Sequence, residues 1–209
     1  MSASKISRWA ASTASITALS ALASAALVLT SASTAVAAPP KLVSITIKAV
    51  VDEVIDTAGV LCADVEPGDT ITGTYVYNTR TRDHNDADHV ADYSYKTTPY
   101  GIKLRVNGMA VRTDPAKVDF LVELVNDDPV VGYDAYSIAS YSNLPFRCGS
   151  PVDFIGWSLA DLSGTALSTT ALGKKGPRIA AFNSTFELIV EGWTKGFYRI
   201  RAHVTSARA

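Results

Sequence analysis

The chain has 209 residues, 47% of them apolar and 19% charged, with 20 acids against 19 Lys and Arg and a formal net charge of −1 at pH 7. This is a globular composition, and so mild a charge balance gives no bulk reason to expect nucleic acid or an anionic membrane as a partner. Two cysteines and three histidines leave a zinc framework short of ligands.

The first element is a leader. Lys5 and Arg8 precede an uncharged Ala, Ser and Leu-rich stretch from Trp9 to Thr30, and Ala35-Val36-Ala37 supplies the small residues a signal peptidase reads. That is the layout of a Sec signal peptide. Residues 1–37 are expected to be removed, leaving 38–209 as a single secreted or periplasmic domain. The competing reading is an uncleaved anchor, but Ser and Thr dilute the stretch and the Ala-x-Ala site favours cleavage. No Arg-Arg pair suggests the Tat route, and no Cys at the cleavage point suggests a lipoprotein. The segment carries two of the basic residues and no acid, so the remainder has a net charge of −3. It is long enough to bury about 70% of its unfolded surface. No later stretch is apolar for long enough to span a membrane.

Cys62 and Cys148 both lie beyond the cleavage site. In an exported chain the default for two cysteines is one disulfide, worth roughly 2–4 kcal/mol over a long loop, against the alternative of two buried thiols.

The rest reads as strands. Lys41–Val51 alternates with Val43, Ile45, Ile47, Ala49 and Val51 on one face. Thr70–Asn78 sets Ile71, Tyr75 and Tyr77 against Thr70, Thr72 and Thr74. A polar loop and a strand starting near Ala91 follow. In "GIKLRVNGMAVRT", Asn107-Gly108 is the favoured two-residue hairpin turn. It pairs Val106 with Met109 and Leu104 with Val111 on an apolar face, and Arg105 with Ala110 and Lys103 with Arg112 on the other. Val118–Asn126, Phe154–Leu162, Phe182–Glu191 and Phe197–Thr205 alternate in the same way. A period of two bounded by Gly, Pro, Asn and Asp is the strand signal. No helix is expected beyond a short turn in "LADLSGTALSTTALG", where Gly164 and the threonines argue against more. About ten short strands predict an all-β fold, an antiparallel β-sandwich or jelly roll.

Five pieces occur in order: "PGDTITGTYVYNT" (Pro67–Thr79), "DYSY" (Asp92–Tyr95), "LRVNGMAV" (Leu104–Val111), "VNDDPVVGYDAYSIAS" (Val125–Ser140) and "DLSGTALSTTALGKKGPRIAAFNSTFELIV" (Asp161–Val190). Together they resemble a family of exported bacterial β-sandwich proteins of unassigned function, the globular domain of PEP-CTERM-type proteins. The sorting tail of that family has no counterpart in "VTSARA". Where relatives read "LSSDALP" and "PPDL", this chain has "LSTTALG" (Leu167–Gly173) and "GPRI" (Gly176–Ile179), without the acids. The resemblance implies a fold and an export route and no reaction.

The stretch richest in metal-ligand residue types is "RDHNDADHVADY", Arg82–Tyr93. An EF-hand loop needs oxygen ligands at alternate positions and then Gly. Asp83 and Asn85 start that pattern and Ala87 breaks it; Asp86 and Asp88 start it again and Val90 breaks it. Zinc on His84 and His89 lacks further ligands. The preferred reading is a solvated loop whose Asp and Asn side chains cap turns. Calcium on Asp83, Asn85, Asp86 and Asp88 is the alternative, with the Asn126-Asp127-Asp128 turn as a further donor set if it lies nearby; no other cofactor is expected.

Catalytic signatures are sparse. There is no Gly-x-Ser-x-Gly elbow and no His-Glu-x-x-His. A glycosidase needs two facing carboxyls, and Glu187 with Glu191, or Asp119 with Glu123, are about 13 Å apart along a strand. All four read as solvent-facing charges. His203 reads as an exposed histidine on the last strand. Arg199, Arg201 and His203 form one cationic stripe, and Lys103, Arg105 and Arg112 another: sites for an acidic glycan, or charges that block strand-to-strand aggregation. Tyr93, Tyr95, Tyr100, Tyr133, Tyr136, Tyr141 and Trp193 are either sugar-stacking residues or core. The expected role is a non-catalytic structural or binding domain at the bacterial cell surface or outside the cell, with a glycan or cell-surface component as partner. A calcium-dependent glycan-binding module and a carbohydrate-active enzyme are the alternatives.

Overall fold

The computed structural model describes residues 41–209 apart from 62, 63 and 131. The expected leader and Cys62 lie outside the described residues. Ten strands form: β1 (Leu42–Asp56), β2 (Thr70–Asn78), β3 (Val90–Tyr95), β4 (Gly101–Val106), β5 (Met109–Arg112), β6 (Phe120–Val125), β7 (Asp134–Ser140), β8 (Phe154–Asp161), β9 (Ser184–Gly192) and β10 (Tyr198–Arg208). The only helical element among the described residues is a 3₁₀ turn, Ile179–Ala181. Leu159–Gly173 leaves β8 for turns and bends.

All ten strands belong to one antiparallel sheet in the order β3-β6-β7-β8-β9-β10-β1-β2-β4-β5. The alternation seen in the sequence sets its inner face. Val43, Ile45, Ile47, Ala49 and Val51 of β1 are buried, as are Ile71, Tyr75 and Tyr77 of β2 and Ile200, Ala202 and Val204 of β10. The β4–β5 hairpin has the expected register, with Val106 opposite Met109 and Lys103 opposite Arg112. Its turn residues have φ of 45° at Asn107 and 76° at Gly108, as a type I′ turn requires.

The sheet curls so that its two halves face each other. Tyr75 Oη on β2 lies 3.0 Å from Tyr136 Oη on β7, and the Tyr75 and Trp157 rings are 6.2 Å apart. The margins meet as well. The Tyr95 and Tyr100 rings are 4.6 Å apart, Leu144 N donates to Arg112 O at 3.0 Å, and Thr113 Oγ1 lies 2.8 Å from Ser140 Oγ.

Two buried carboxylates hold the loops at one end. Asp134 and Asp161 face each other across β7 and β8, exposed by 0% and 1%. Asp134 accepts from Asp127 N at 2.9 Å and Leu167 N at 2.7 Å. Asp161 accepts from the backbone and hydroxyl of both Ser163 and Thr165. These bonds, the Ser163 hydroxyl first, hold the Asp161 carboxyl down to about 2. The acid that opens "DLSGT" is therefore an anchor for its own loop.

Candidate functional site

The acidic loop is built around Asp92. Asp83 Oδ1 accepts from Asn85 N at 2.9 Å and from Asp92 N at 2.8 Å. His84 N donates to Asp92 O at 3.0 Å, and Asn85 Nδ2 donates to Asp92 Oδ2 at 2.9 Å. Asn85 Oδ1 takes Ala87 N at 3.0 Å. β3 is a margin of the sheet, and a margin strand presents unpaired N–H and C=O groups. The loop satisfies both backbone groups of Asp92 there. Asp83 Oδ1 and Asn85 Oδ1 thus accept from backbone amides of the loop and of β3, while Asp86 and Asp88 stand exposed. The Asn126–Asp128 turn does lie alongside, with Asn126 N on His89 O at 2.9 Å and His89 Nε2 3.9 Å from Asp128 Oδ2. Among the described residues no three His, Cys, Asp or Glu side chains are grouped to hold a metal ion.

The two cationic stripes have different surroundings. On β10, Arg199 pairs with Glu191 and Arg201 with Glu187. Arg201 also meets Glu53 at 2.7 Å, and His203 Nδ1 meets Asp52 at 2.6 Å. That stripe is a ladder of neutralised pairs across β1, β10 and β9. Glu187 and Glu191 are thus ion-pair partners rather than free solvent-facing charges.

Lys103, Arg105 and Arg112 on the hairpin are exposed, and among the described residues no ion pair joins them to an acid. The register adds residues that sequence patterning left separate. Arg112, Lys103, Thr74, Thr46 and Arg208 are successive partners across β5, β4, β2, β1 and β10. Ala110, Arg105, Thr72, Lys48 and Ser206 form the next row. Neither row holds a carboxylate. A hollow of about 270 Å³ lies over Thr72, Thr74, Lys103, Arg105 and Arg112. Another, of about 310 Å³, shares Thr74 and Lys103 and reaches Pro99 and Tyr100. Gly73 keeps the floor thin: a Cβ there would lie 2.1 Å from Lys103 O.

The outer face of β7 and β8 is a trough. Ala135 faces Ala160, Ser137 faces Ser158 and Ala139 faces Gly156, so the floor carries only small side chains. Leu121 and Glu123 from β6 and Glu187 and Ile189 from β9 line a hollow of about 240 Å³, with Tyr141 and Phe154 among its residues. The Tyr141 and Phe154 rings are 5.7 Å apart. Glu123 is half-buried and directly opposite Asp92. Burial, and then the Asp92 carboxylate, hold its carboxyl above the usual range. Asp92 Oδ1 is buried with no N–H or O–H donor from elsewhere, and a protonated Glu123 supplies one. The solvent-facing reading of Glu123 is corrected accordingly. Neither residue carries a motif; only the β3–β6 register joins them.

Of the aromatic residues, Tyr93, Tyr95 and Tyr136 belong to the core. Tyr141 and Trp193 are 52% and 56% exposed. Cys148 Sγ lies 3.4 Å from Ser150 Oγ, and Ser150 Oγ donates to Val60 O at 2.5 Å. That bond sets the Cys148 turn against the chain two residues before Cys62.

Site and fold together define an all-β, single-sheet antiparallel domain with one uncompensated basic face. Comparison with protein-family models, curated proteins and solved structures finds no match.

Proposed function

We propose that this is an exported, non-catalytic binding domain that engages an anionic partner through the outer face of β1, β2, β4 and β5. The supporting observation is the contrast between the two stripes: Arg199, Arg201 and His203 each meet an acid, and among the described residues the hairpin cations meet none. Three basic residues and a fourth, Lys48, over threonine hydroxyls suit an anion that keeps part of its hydration. The leader layout and the resemblance to exported PEP-CTERM-type proteins support secretion. The Ser150–Val60 contact fits a Cys62–Cys148 bridge formed in an oxidising compartment.

Retention of residues 38–209 on a sulfated matrix, against a neutral matrix of the same backbone, tests the reading. Retention should fall steeply with salt and vanish in the Lys103→Glu/Arg105→Glu variant. Salt-independent retention, or retention unchanged by the double reversal, overturns it.

One observation favours a second reading, a carbohydrate-active enzyme. Glu123 and Glu187 line the same trough hollow, one held toward its protonated form and the other paired with Arg201. Divergent environments of this kind separate a general acid from a general base. Release of reducing ends from a polysaccharide panel, lost in Glu123→Gln and in Glu187→Gln, would replace the binding proposal.

A further inference from the structure

We infer that the anionic partner is an acidic polysaccharide lying across the strands of the basic face, its anionic groups on the cations that flank the threonines of each row and its sugar rings over those threonines. This rests on the anionic-partner reading and goes further by naming the ligand class and its direction.

The direction follows from the register. Lys103 and Arg105 are neighbours on β4, and each belongs to a row that runs across the strands to a further cation, Arg208 or Lys48. One row runs Arg112, Lys103, Thr74, Thr46, Arg208, and the other runs Ala110, Arg105, Thr72, Lys48, Ser206. Each row crosses five strands, and at a strand spacing of about 4.8 Å it spans about 19 Å. In both rows cations flank the threonines: Lys103 and Arg208 stand on either side of Thr74 and Thr46, and Arg105 and Lys48 on either side of Thr72. A polymer laid along a row meets cation, hydroxyl and cation in turn, which is the chemistry of a chain whose rings carry both carboxylate or sulfate and hydroxyl groups. Arg105 and Arg112 offer planar forks for two-point contact with such groups.

The hollows support the sugar component. The one over Thr72 and Thr74 opens, through the shared Thr74 and Lys103, into the one beside Pro99 and Tyr100. Tyr100 is partly exposed and gives one flat apolar surface at one margin, enough for a ring face. A single-stranded nucleic acid uses several stacking side chains along its groove. Here the strongly exposed aromatics, Tyr141 and Trp193, belong to the β7 exit and the β9–β10 turn. A polyphosphate has no ring for the Tyr100 hollow and no use for hydroxyl partners between charges.

The experiment uses residues 38–209 and three probes of matched charge: oligomers of a uronic acid, polyphosphate and single-stranded DNA. Uronate oligomers should bind at least tenfold tighter than either of the others. Their affinity should rise with length until the row is filled and then level off. Thr74→Val, which removes the hydroxyl common to both hollows, should weaken uronate binding at least threefold and leave polyphosphate binding unchanged. Lys103→Gln/Arg105→Gln should weaken all three. Melting curves of each variant confirm that it is folded. Equal binding of all probes, indifferent to Thr74→Val, overturns the polysaccharide assignment and leaves the anionic-partner reading standing. Tighter binding of DNA or polyphosphate overturns it in favour of that polymer. No binding of any probe overturns both.

Discussion

Tyr75 Oη and Tyr136 Oη lie 3.0 Å apart, although their strands are five steps from each other in the sheet, about 24 Å along its surface. Both residues are buried, and burial pushes both phenols well above their ordinary range. Neither hydroxyl has water to fall back on. Tyr75→Phe should destabilise the domain by about 1–3 kcal/mol, because it strands the Tyr136 hydroxyl. The Tyr75→Phe/Tyr136→Phe double variant should be less destabilised than the sum of the two single variants. Denaturant melts of the four proteins measure this coupling, and additive effects would show that the pair does not act as a unit.

Asp83 ties its loop to the margin of the sheet. Its Oδ1 takes the Asn85 and Asp92 amides, so Asp83→Ala should lower stability by about 1–3 kcal/mol, or several degrees in a domain of this size. It also bares the outer backbone groups of β3, and concentrated samples should aggregate on warming. Asp86→Asn/Asp88→Asn should melt like the parent. Millimolar calcium should shift neither protein. A calcium site would instead add about 2.7 kcal/mol at a hundredfold excess over Kd, and a shift of that size in the parent would restore the calcium reading.

The hairpin turn is sensitive to φ. Asn107 has φ of 45°, and its amide donates to Asp64 O at 2.8 Å and Asp69 Oδ2 at 2.6 Å. Asn107→Pro forbids the first and removes the second, at a cost of about 3 kcal/mol or more. Asn107→Gly keeps the backbone and loses only the side-chain contacts, so it should fall between parent and Pro variant in thermal melts.

Two carboxyls impose opposite pH dependences. The Asp161 carboxyl is depressed to about 2 by its Ser163 and Thr165 donors. The stability it contributes is present above the ordinary carboxylate range and is lost as pH falls through about 2. The Glu123 carboxyl is raised, so its contribution is full below the ordinary range and is lost as pH rises through its folded value. Glu123→Gln keeps a donor toward Asp92 and should melt higher than the parent at pH 7, with the difference closing below about pH 4. Asp161→Asn should melt lower than the parent at pH 7, with a gap that narrows toward pH 2. Melting series across pH read both, and a parallel offset at all pH values would contradict the assignments.

The strands legible in the sequence were those with one dry and one wet face. Thr70–Asn78 has the bounds of β2, and the Asn107-Gly108 turn fixed a register that holds at every pair. β7 was hidden because Ala135, Tyr136, Ile138 and Ala139 are all buried; with small residues on its outer face, no polar alternation marks it. The end of β1 was hidden by the irregularity at Val51/Glu53, beyond which burial no longer alternates. Both cationic stripes were visible, but their difference was not. Whether Arg201 has an acid beside it depends on Glu53 and Glu187, residues that only the strand order brings together. The same holds for Glu123, whose neighbour Asp92 belongs to a loop-capped strand.

The central seam of the sheet is the β1–β10 ladder, which joins residues as distant in the chain as Lys48 and Thr205, 157 positions apart. A contact of such high sequence separation forms late, after the entropy of closing the intervening loop has been met. Until β10 arrives, β1 has a partner strand on one flank only and no strand ladder joins the two halves of the sheet. In this protein, the seam makes completion of the fold wait on the emergence of its tenth strand.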